Sequence, residues 1–566
     1  MSITAPLRKD LIKIVISALM ALFLVPLIAW SFVCYALPPG ATDIAARPFS
    51  PLWQFQVTGK LSTTILIAGV VMLLAICSLG AAAFANRRTQ YLSFVTGWRL
   101  LTVFCAIEIV VQGALLVWLA FWLTAFFFKV YFLKLIGIAA IISAMGVFHA
   151  VVCIFKQVPQ ATNLDGELID ESNASPIWTH VRELAAKAGT APPDNIVAGI
   201  DTNFFVTEAP LCIKDRTLSG RSLFVSLPLL RLLDRGEADA VLMHELAHFR
   251  GGDTASSALL GPKLAQYDFY CALMYSASAT ILAFYVLRLY RVIFEFALKR
   301  DSRAREFLAD HVAATLVSAQ GLVRSLIKIS GYARYRDVIE EKLFAKEDRH
   351  ESQLKIADRI ATGLAPYAAS AQFLDEMRES SIPHPFDSHP ALRERMRNVG
   401  FEVNEQDYSQ IVTQPANTTW IPDVPNADNI EQALWALYEN RFASAHEEKL
   451  AYCFLPANES EEEIVLKYFP PLEFGLRGGK RITISYKGLI LPKENELLSW
   501  DSVTNMKYED AFGSDILQII HPEKGLLGAK TTKIKLPGIR KQRSQLKDAL
   551  GRYWQRHQIM RKGLES

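Results

Sequence analysis

The segment Ala238-Asp-Ala-Val-Leu-Met-His-Glu-Leu-Ala-His248 sets two histidines four residues apart with a glutamate beside the first. On a helix that spacing puts His244 and His248 on one face, one turn apart, where two imidazoles can grip one ion. Glu245 then stands within reach of a metal-bound water and can take its proton. Gly251 and Gly252 supply the helix stop. A chance HExxH in a chain of this composition has a probability of about one per cent. A catalytic zinc site wants a third protein ligand and one open position. The best candidate lies in Ser302-Arg-Ala-Arg-Glu-Phe-Leu-Ala-Asp-His311, where Glu306 and Asp310 share a helix face one turn apart. Glu306 would be the ligand, and Asp310 would accept the other N–H of a ligating imidazole. From spacing alone the same pair is equally a solvated helix face beside Arg303 and Arg305.

The elements that must position these residues include a membrane part. Mean hydropathy is +0.18 over 566 residues, which points away from a disordered or purely soluble chain. Four apolar runs, Ile14 to Leu37, Ser62 to Ala85, Leu100 to Phe128 and Leu135 to Phe155, are each near or above the roughly 20 residues that span hydrocarbon. The first has a basic amino flank and no clear cleavage site, so it reads as an uncleaved span. With the amino terminus inside, the inner positions carry Arg8, Lys9, Lys13, Arg87, Arg88, Arg99 and Lys156, and the outer loops Arg47, Lys60, Lys129 and Lys134. That bias puts the large polar remainder in the cytoplasm. Glu108 and His149 fall at similar depth in their spans, and a contact between them is expected, as an interhelical hydrogen bond or as something functional. Sixty Lys+Arg against 57 Asp+Glu give +3, so no global field recruits nucleic acid. Seven cysteines include no CxxC, which disfavours a disulfide framework or a cysteine zinc knuckle.

Beyond a polar linker the pattern becomes that of a soluble α/β segment: helix Val181 to Ala188, strand Ile196 to Ile200, strand Leu223 to Ser226, and a helical stretch opened by Pro228. Both halves of the candidate metal site must lie on one side of the membrane. Between them runs Phe269 to Leu298, apolar except for Arg288, Arg291 and Glu295. Two full crossings need about 40 residues plus a turn, so a hairpin or long helix is expected that dips into the bilayer, or packs on the other spans, without passing through.

Five ordered stretches resemble the M48 family of membrane-associated zinc metallopeptidases, which includes HtpX and the CAAX prenyl proteases. They are Leu184 to Pro193, Asp201-Thr-Asn-Phe-Phe-Val206 (with Phe204 where the family usually has Ala), His244 to Asp253 as HExxHxxxxD, Ser302 to Ala313, and His389-Pro390 followed by Arg395. The resemblance covers roughly residues 160–400. It implies a zincin-type, mostly helical domain with a small edge-strand sheet, and one Zn2+ on His244, His248 and Glu306. Glu245 would be the general base and later proton donor, with Asp310 and Asp253 behind the ligands. It also implies that His389 or Arg395 helps bind the oxyanion or substrate, unless both are structural, and that Asn203 sits on a strand against which an extended peptide pairs. The substrates would be membrane or membrane-proximal polypeptides, and the location a bacterial inner membrane with the peptidase part in the cytoplasm.

From residue 401 on, no further zinc motif occurs. Asp428 to His446 reads as helix, and then short β runs follow: 481–485, 488–491, 497–508, 516–520 and 532–536, closed by a helix over roughly 541–558. Strands closed by one helix resemble a bacterial PH-like barrel. Lys535, Arg540, Lys541 and Arg543 would meet anionic lipid there, or form a solvated face. The expected organisation is a four-helix membrane region at 1–156, a zinc peptidase domain at 157–400 with a membrane-dipping insertion at 264–299, a helical linker at 401–470, and a PH-like module at 471–566 with a protein or lipid partner. The fold class is membrane α-helical plus α+β. The competing function is a non-proteolytic membrane scaffold or sensor with a structural metal site, for which Glu245 has no use.

Overall fold

The computed structural model describes residues 5–38, 40–41, 45–157, 162–348, 353–380, 390–491, 496–509, 515–525 and 528–565. The chain divides into two compact units: Met1–Arg334 with Leu364–Glu431, and Tyr335–Gly363 with Gln432–Ser566.

The first unit opens with α1 (Ala5–Ala36), α2 (Pro51–Ala82), α3 (Arg87–Phe128) and α4 (Leu133–Ile154). All four are long and apolar enough to cross a membrane. Ser50 caps α2 ahead of Pro51, and Asn86 with Thr89 forms a capping box on α3, so the polar turns between the apolar runs define the helix starts.

The soluble part follows. Two two-residue strands, β1 (Thr162–Asn163) and β2 (Glu167–Leu168), precede α5 (Ser175–Ala188). Then come β3 (Asn195–Gly199), β4 (Phe205–Thr207), β5 (Leu211–Ile213), β6 (Arg216–Leu218) and β7 (Ser222–Ser226). One sheet has the order β2-β3-β7-β4, with β3 and β7 parallel and β4 antiparallel at the edge. A smaller sheet has the order β1-β5-β6. β7 runs into the short α6 (Leu227–Leu232), with Ser226 as cap and Pro228 in its first turn.

The helix that carries the HExxH is α7 (Arg235–Arg250), opened by an Asp234/Glu237 capping box. Gly252, at φ +66°, turns the chain directly into α8 (Asp253–Ser276). That left-handed conformation suits glycine. After the turn at 277–280 comes α9 (Ile281–Ala313), which passes through one π-helical turn, Ala314–Ser318, into α10 (Ala319–Phe344). The remaining helices of this unit include α11 (Ile356–Ala368, which starts in the other unit), α12 (Ala371–Ser380), α13 (Leu392–Val399) and α14 (Tyr408–Thr413).

α8 and α9 form the hairpin that the apolar stretch 269–298 called for. They pack against the first four helices in one shared core that includes Phe94, Leu101, Tyr267, Met274, Tyr290 and Phe294. Contacts along α4 run antiparallel to α8: Gln266 Nε2 donates to Lys156 O at 2.7 Å, His149 Nε2 meets Leu273 O at 2.9 Å, and the turn at Ala279 abuts Gly146. The turn therefore reaches the middle of α4 and stops there. The expected Glu108–His149 contact does not form. His149 is taken by the Leu273 carbonyl because α8 lies alongside α4, and Glu108 instead accepts from Gln112 on its own helix at 2.6 Å.

In the second unit lie most of α15 (Ala427–Cys453), then α16 (Glu459–Tyr468), and two antiparallel sheets. The first has the order β11-β10-β9-β8, from β8 (Leu472–Gly475), β9 (Arg481–Ser485), β10 (Gly488–Ile490) and β11 (Leu497–Ser499). The second has β12 (Asn505–Glu509), β13 (Ile516–Gly525) and β14 (Gly528–Lys535), with β13 central. The closing α17 (Arg543–Glu565) lays Leu546, Leu550 and Tyr553 into the core with Trp500, Ile482 and Leu517. Arg556 of α17 is buried and donates to the Ala451 and Phe454 carbonyls at the end of α15. It thereby satisfies acceptors that a helix terminus leaves open, and burial pushes its pKa down to about 10.

Candidate metal centre

His244 and His248 face Glu306 across the α7–α9 contact. Their Nε2 atoms are 3.3 Å apart. His244 Nε2 lies 3.5 Å from Glu306 Oε2, and His248 Nε2 lies 3.6 Å from Glu306 Oε1. Zinc with bonds of about 2.0–2.2 Å in a tetrahedron holds its ligands about 3.3–3.6 Å apart. The residues present therefore fit zinc, in donor type and in spacing.

Each imidazole is fixed by a carboxylate on its far nitrogen. Asp310 Oδ1 lies 2.9 Å from His244 Nδ1, and Asp253 Oδ2 lies 3.0 Å from His248 Nδ1. Those bonds hold a proton on Nδ1 and aim Nε2 at the ion position, where metal binding displaces any proton that Nε2 carries. Asp310 is fully buried and also holds Arg395, which donates from Nε at 2.9 Å and Nη2 at 2.5 Å. Burial alone would lower the His244 pKa, but Asp310 and Glu306 outweigh it and raise it to about 9. Burial would raise the Asp253 carboxyl, yet His248 and Arg87 hold it below its usual range.

A cavity of about 300 Å³ opens on this group, lined by Glu245, Arg395 and Asn203 together with Phe204, Leu322 and Leu326. Asn203 lies in the bend leading to β4 and not on the strand. The Asp201 carboxylate accepts from Thr202 N and Ser226 Oγ donates to Asp201 O, which keeps this stretch turned until Phe205.

Residues 179–401 match the profile of peptidase family M48. This part of the chain belongs to that family. Curated relatives carry the name Protease HtpX or Protease HtpX homolog. That of Archaeoglobus fulgidus is 25% identical over 234 residues, 38% of this chain and 64% of its own length. That of Thermoplasma volcanium is 28% identical over 230 residues, 38% and 68%. Protease HtpX of Haemophilus influenzae is 26% identical over 215 residues, 34% and 74%. The chain thus spans just under two thirds of the first of these. No solved structure matches it.

In the M48 domain the structure brings together His244, Glu245, His248, Asp253, Asn203, Glu306, Asp310 and Arg395. His389 lies outside the described residues. Three supports escaped sequence reasoning. Arg87, the first residue of α3, pairs with Asp253 Oδ1 and donates to Gly251 O at 2.8 Å. Glu237 on α7 is buried between Lys328 Nζ at 2.8 Å and Arg324 Nε at 2.9 Å, both on α10. Arg303 reaches Glu394 at 2.5 Å and ties α9 to α13, the helix that carries Arg395. Spacing along the chain carries no signal for partners this distant. The one available hint was the basic residue at the start of a span, which charge bias alone had absorbed.

Proposed function

We propose that the protein is a membrane-embedded zinc endopeptidase that cleaves membrane or membrane-proximal polypeptides on the cytoplasmic side of a bacterial inner membrane. The observation that carries this is a three-cornered ligand set with tetrahedral edge lengths and a glutamate beside it in an open cavity. His244, His248 and Glu306 would hold the ion. When bound, zinc lowers the pKa of a coordinated water and polarises the scissile carbonyl. Glu245 accepts a proton from the attacking water and returns it to the departing amine. Asp310 and Asp253 keep both imidazoles in the metal-facing tautomer. The edge strand β4, with Asn203 in the bend before it, offers backbone groups to an extended peptide.

For Arg395, bidentate engagement of Asp310 favours positioning of the His244 side over direct oxyanion binding. The second unit serves as a PH-like binding module for a protein or lipid partner, a reading supported by its strands and closing helix.

The test is the full chain in nanodiscs with casein and self-cleavage as readouts. Wild type binds one zinc per chain and cleaves, whereas Glu245→Gln keeps the zinc and loses at least about a hundredfold of the rate. A chain that holds zinc and cuts no polypeptide, with Glu245 intact, is instead the scaffold or sensor.

A further inference from the structure

A second cavity, of about 90 Å³, lies at the tip of the α8–α9 hairpin, halfway along α3 and α4. It is lined by α1, α3, α4 and the hairpin, and no Lys, Arg or His lines it. Glycine keeps it narrow at two points. A Cβ on Gly113 would meet Ser143 at 2.9 Å, and one on Gly146 would meet Ala279 at 3.3 Å. Into this apolar setting the chain puts Glu108, 6% exposed. Its Oε2 accepts from Gln112, while its Oε1 is buried without a hydrogen-bond partner.

Apart from the weak S–H donor of Cys105, the polar capacity left in the lining is of one kind. Gln112 Nε2 donates to Ala21 O at 2.8 Å and to Glu108 Oε2 at 2.6 Å, which uses both amide hydrogens. The Ser143 hydroxyl hydrogen goes to a backbone carbonyl, Ala139 O at 2.7 Å or Gly113 O at 3.2 Å. What remains is acceptor capacity: Glu108 Oε1, the Gln112 amide oxygen and the Ser143 lone pairs. A lone carboxylate in hydrocarbon is costly and takes a proton or a cationic partner. A group that brings both donors and positive charge satisfies the whole set.

We propose that this cavity binds a small lipophilic primary amine, its ammonium on Glu108 Oε1 and its short apolar body among the surrounding helices. A cavity of about 150 Å³ holds the six carbons of benzene, so about 90 Å³ suits about four heavy atoms, the nitrogen and about three carbons. The reading is independent of peptidase activity, and its test measures binding alone.

The experiment uses the full chain in phosphatidylcholine nanodiscs with n-propylammonium and n-propanol, which share a tail and differ in the head. The expected result is a saturable rise in Tm with the amine and none with the alcohol. Glu108→Gln should weaken the amine at least about tenfold, the loss of one charge-assisted hydrogen bond. Infrared difference spectra of wild type should show a carboxylate band gained on amine binding and absent in Glu108→Gln. Ala283→Phe, which fills the cavity, should abolish both signals. Equal Tm shifts for amine and alcohol, amine binding that survives either substitution, or no saturable shift at all overturns the proposal. The last outcome leaves water as the occupant.

Discussion

At the scale of the residue, the candidate metal centre would depend on groups that never touch the ion. His248 is held by Asp253, and Asp253 by Arg87, so a residue at the start of a membrane-spanning helix is two hydrogen bonds from a ligand nitrogen. Loss of a ligand's direct partner, here Asp253, typically costs 10–100-fold in metal affinity. Arg87→Gln, made in a Glu245→Gln background to suppress self-cleavage, acts one bond further out and should weaken zinc by up to about tenfold. Competition against a chromophoric chelator measures this, and an unchanged affinity would show that Asp253 needs no help from α3. Arg395 calls for a different measurement, because positioning and oxyanion binding predict different losses. Arg395→Lys keeps the charge but breaks the two-pronged grip on Asp310. If the residue positions His244, zinc affinity falls. If it binds the oxyanion, kcat falls while zinc affinity stays.

At the scale of the element, α7 is fixed against α10 by charges out of water. Glu237 is 4% exposed, Lys328 is fully buried, and the Glu237 carboxylate also caps its own helix through Asp234 N. Removal of one member of a buried pair leaves the other charge uncompensated, which costs about 3–5 kcal/mol. Glu237→Ala should show that loss in denaturant titration, with Lys328 the stranded group, whereas the exposed pair Lys214–Glu167 should contribute almost nothing. These elements were legible in the sequence to unequal degrees. α7 and the end of α9 were plain because ligand spacing and helical period coincide there, and the hairpin followed from a length too short for two crossings. β8 was missed because Leu472–Gly475 is mostly exposed and so shows little of the apolar alternation of a half-buried strand. The run 497–508 read as one strand, yet a 3-10 turn at Trp500–Ser502 splits it, with Ser499 as cap and Trp500 turned into the core. Neither Arg87 nor Lys328 was legible in its role, because their partners lie 166 and 91 residues away.

At the scale of the whole first unit, a single constraint joins membrane and chemistry. The histidine pair ends α7, Glu306 sits late on α9, and between them runs the hairpin, which packs one face into the core of the helical bundle. Because the hairpin turns back beside Gly146 and Ala21, both of its ends emerge at the same level. Hydrogen-bonded helices satisfy their own backbone, and at the turn the Thr280 hydroxyl donates to Met274 O at 2.8 Å, so a half-inserted pair leaves few backbone groups open. Cysteine accessibility tests this in a background whose exposed native cysteines, Cys34, Cys77 and Cys453, are serine. Arg250→Cys and Ser302→Cys should both react with a membrane-impermeant maleimide added from the side of the peptidase domain. Ser278→Cys, at the turn, should resist the reagent from either side. Labelling of Ser278→Cys from the opposite side would mean that the hairpin passes through the bilayer. Labelling of Arg250→Cys and Ser302→Cys from opposite sides would separate the two histidines from Glu306 and remove the metal centre altogether.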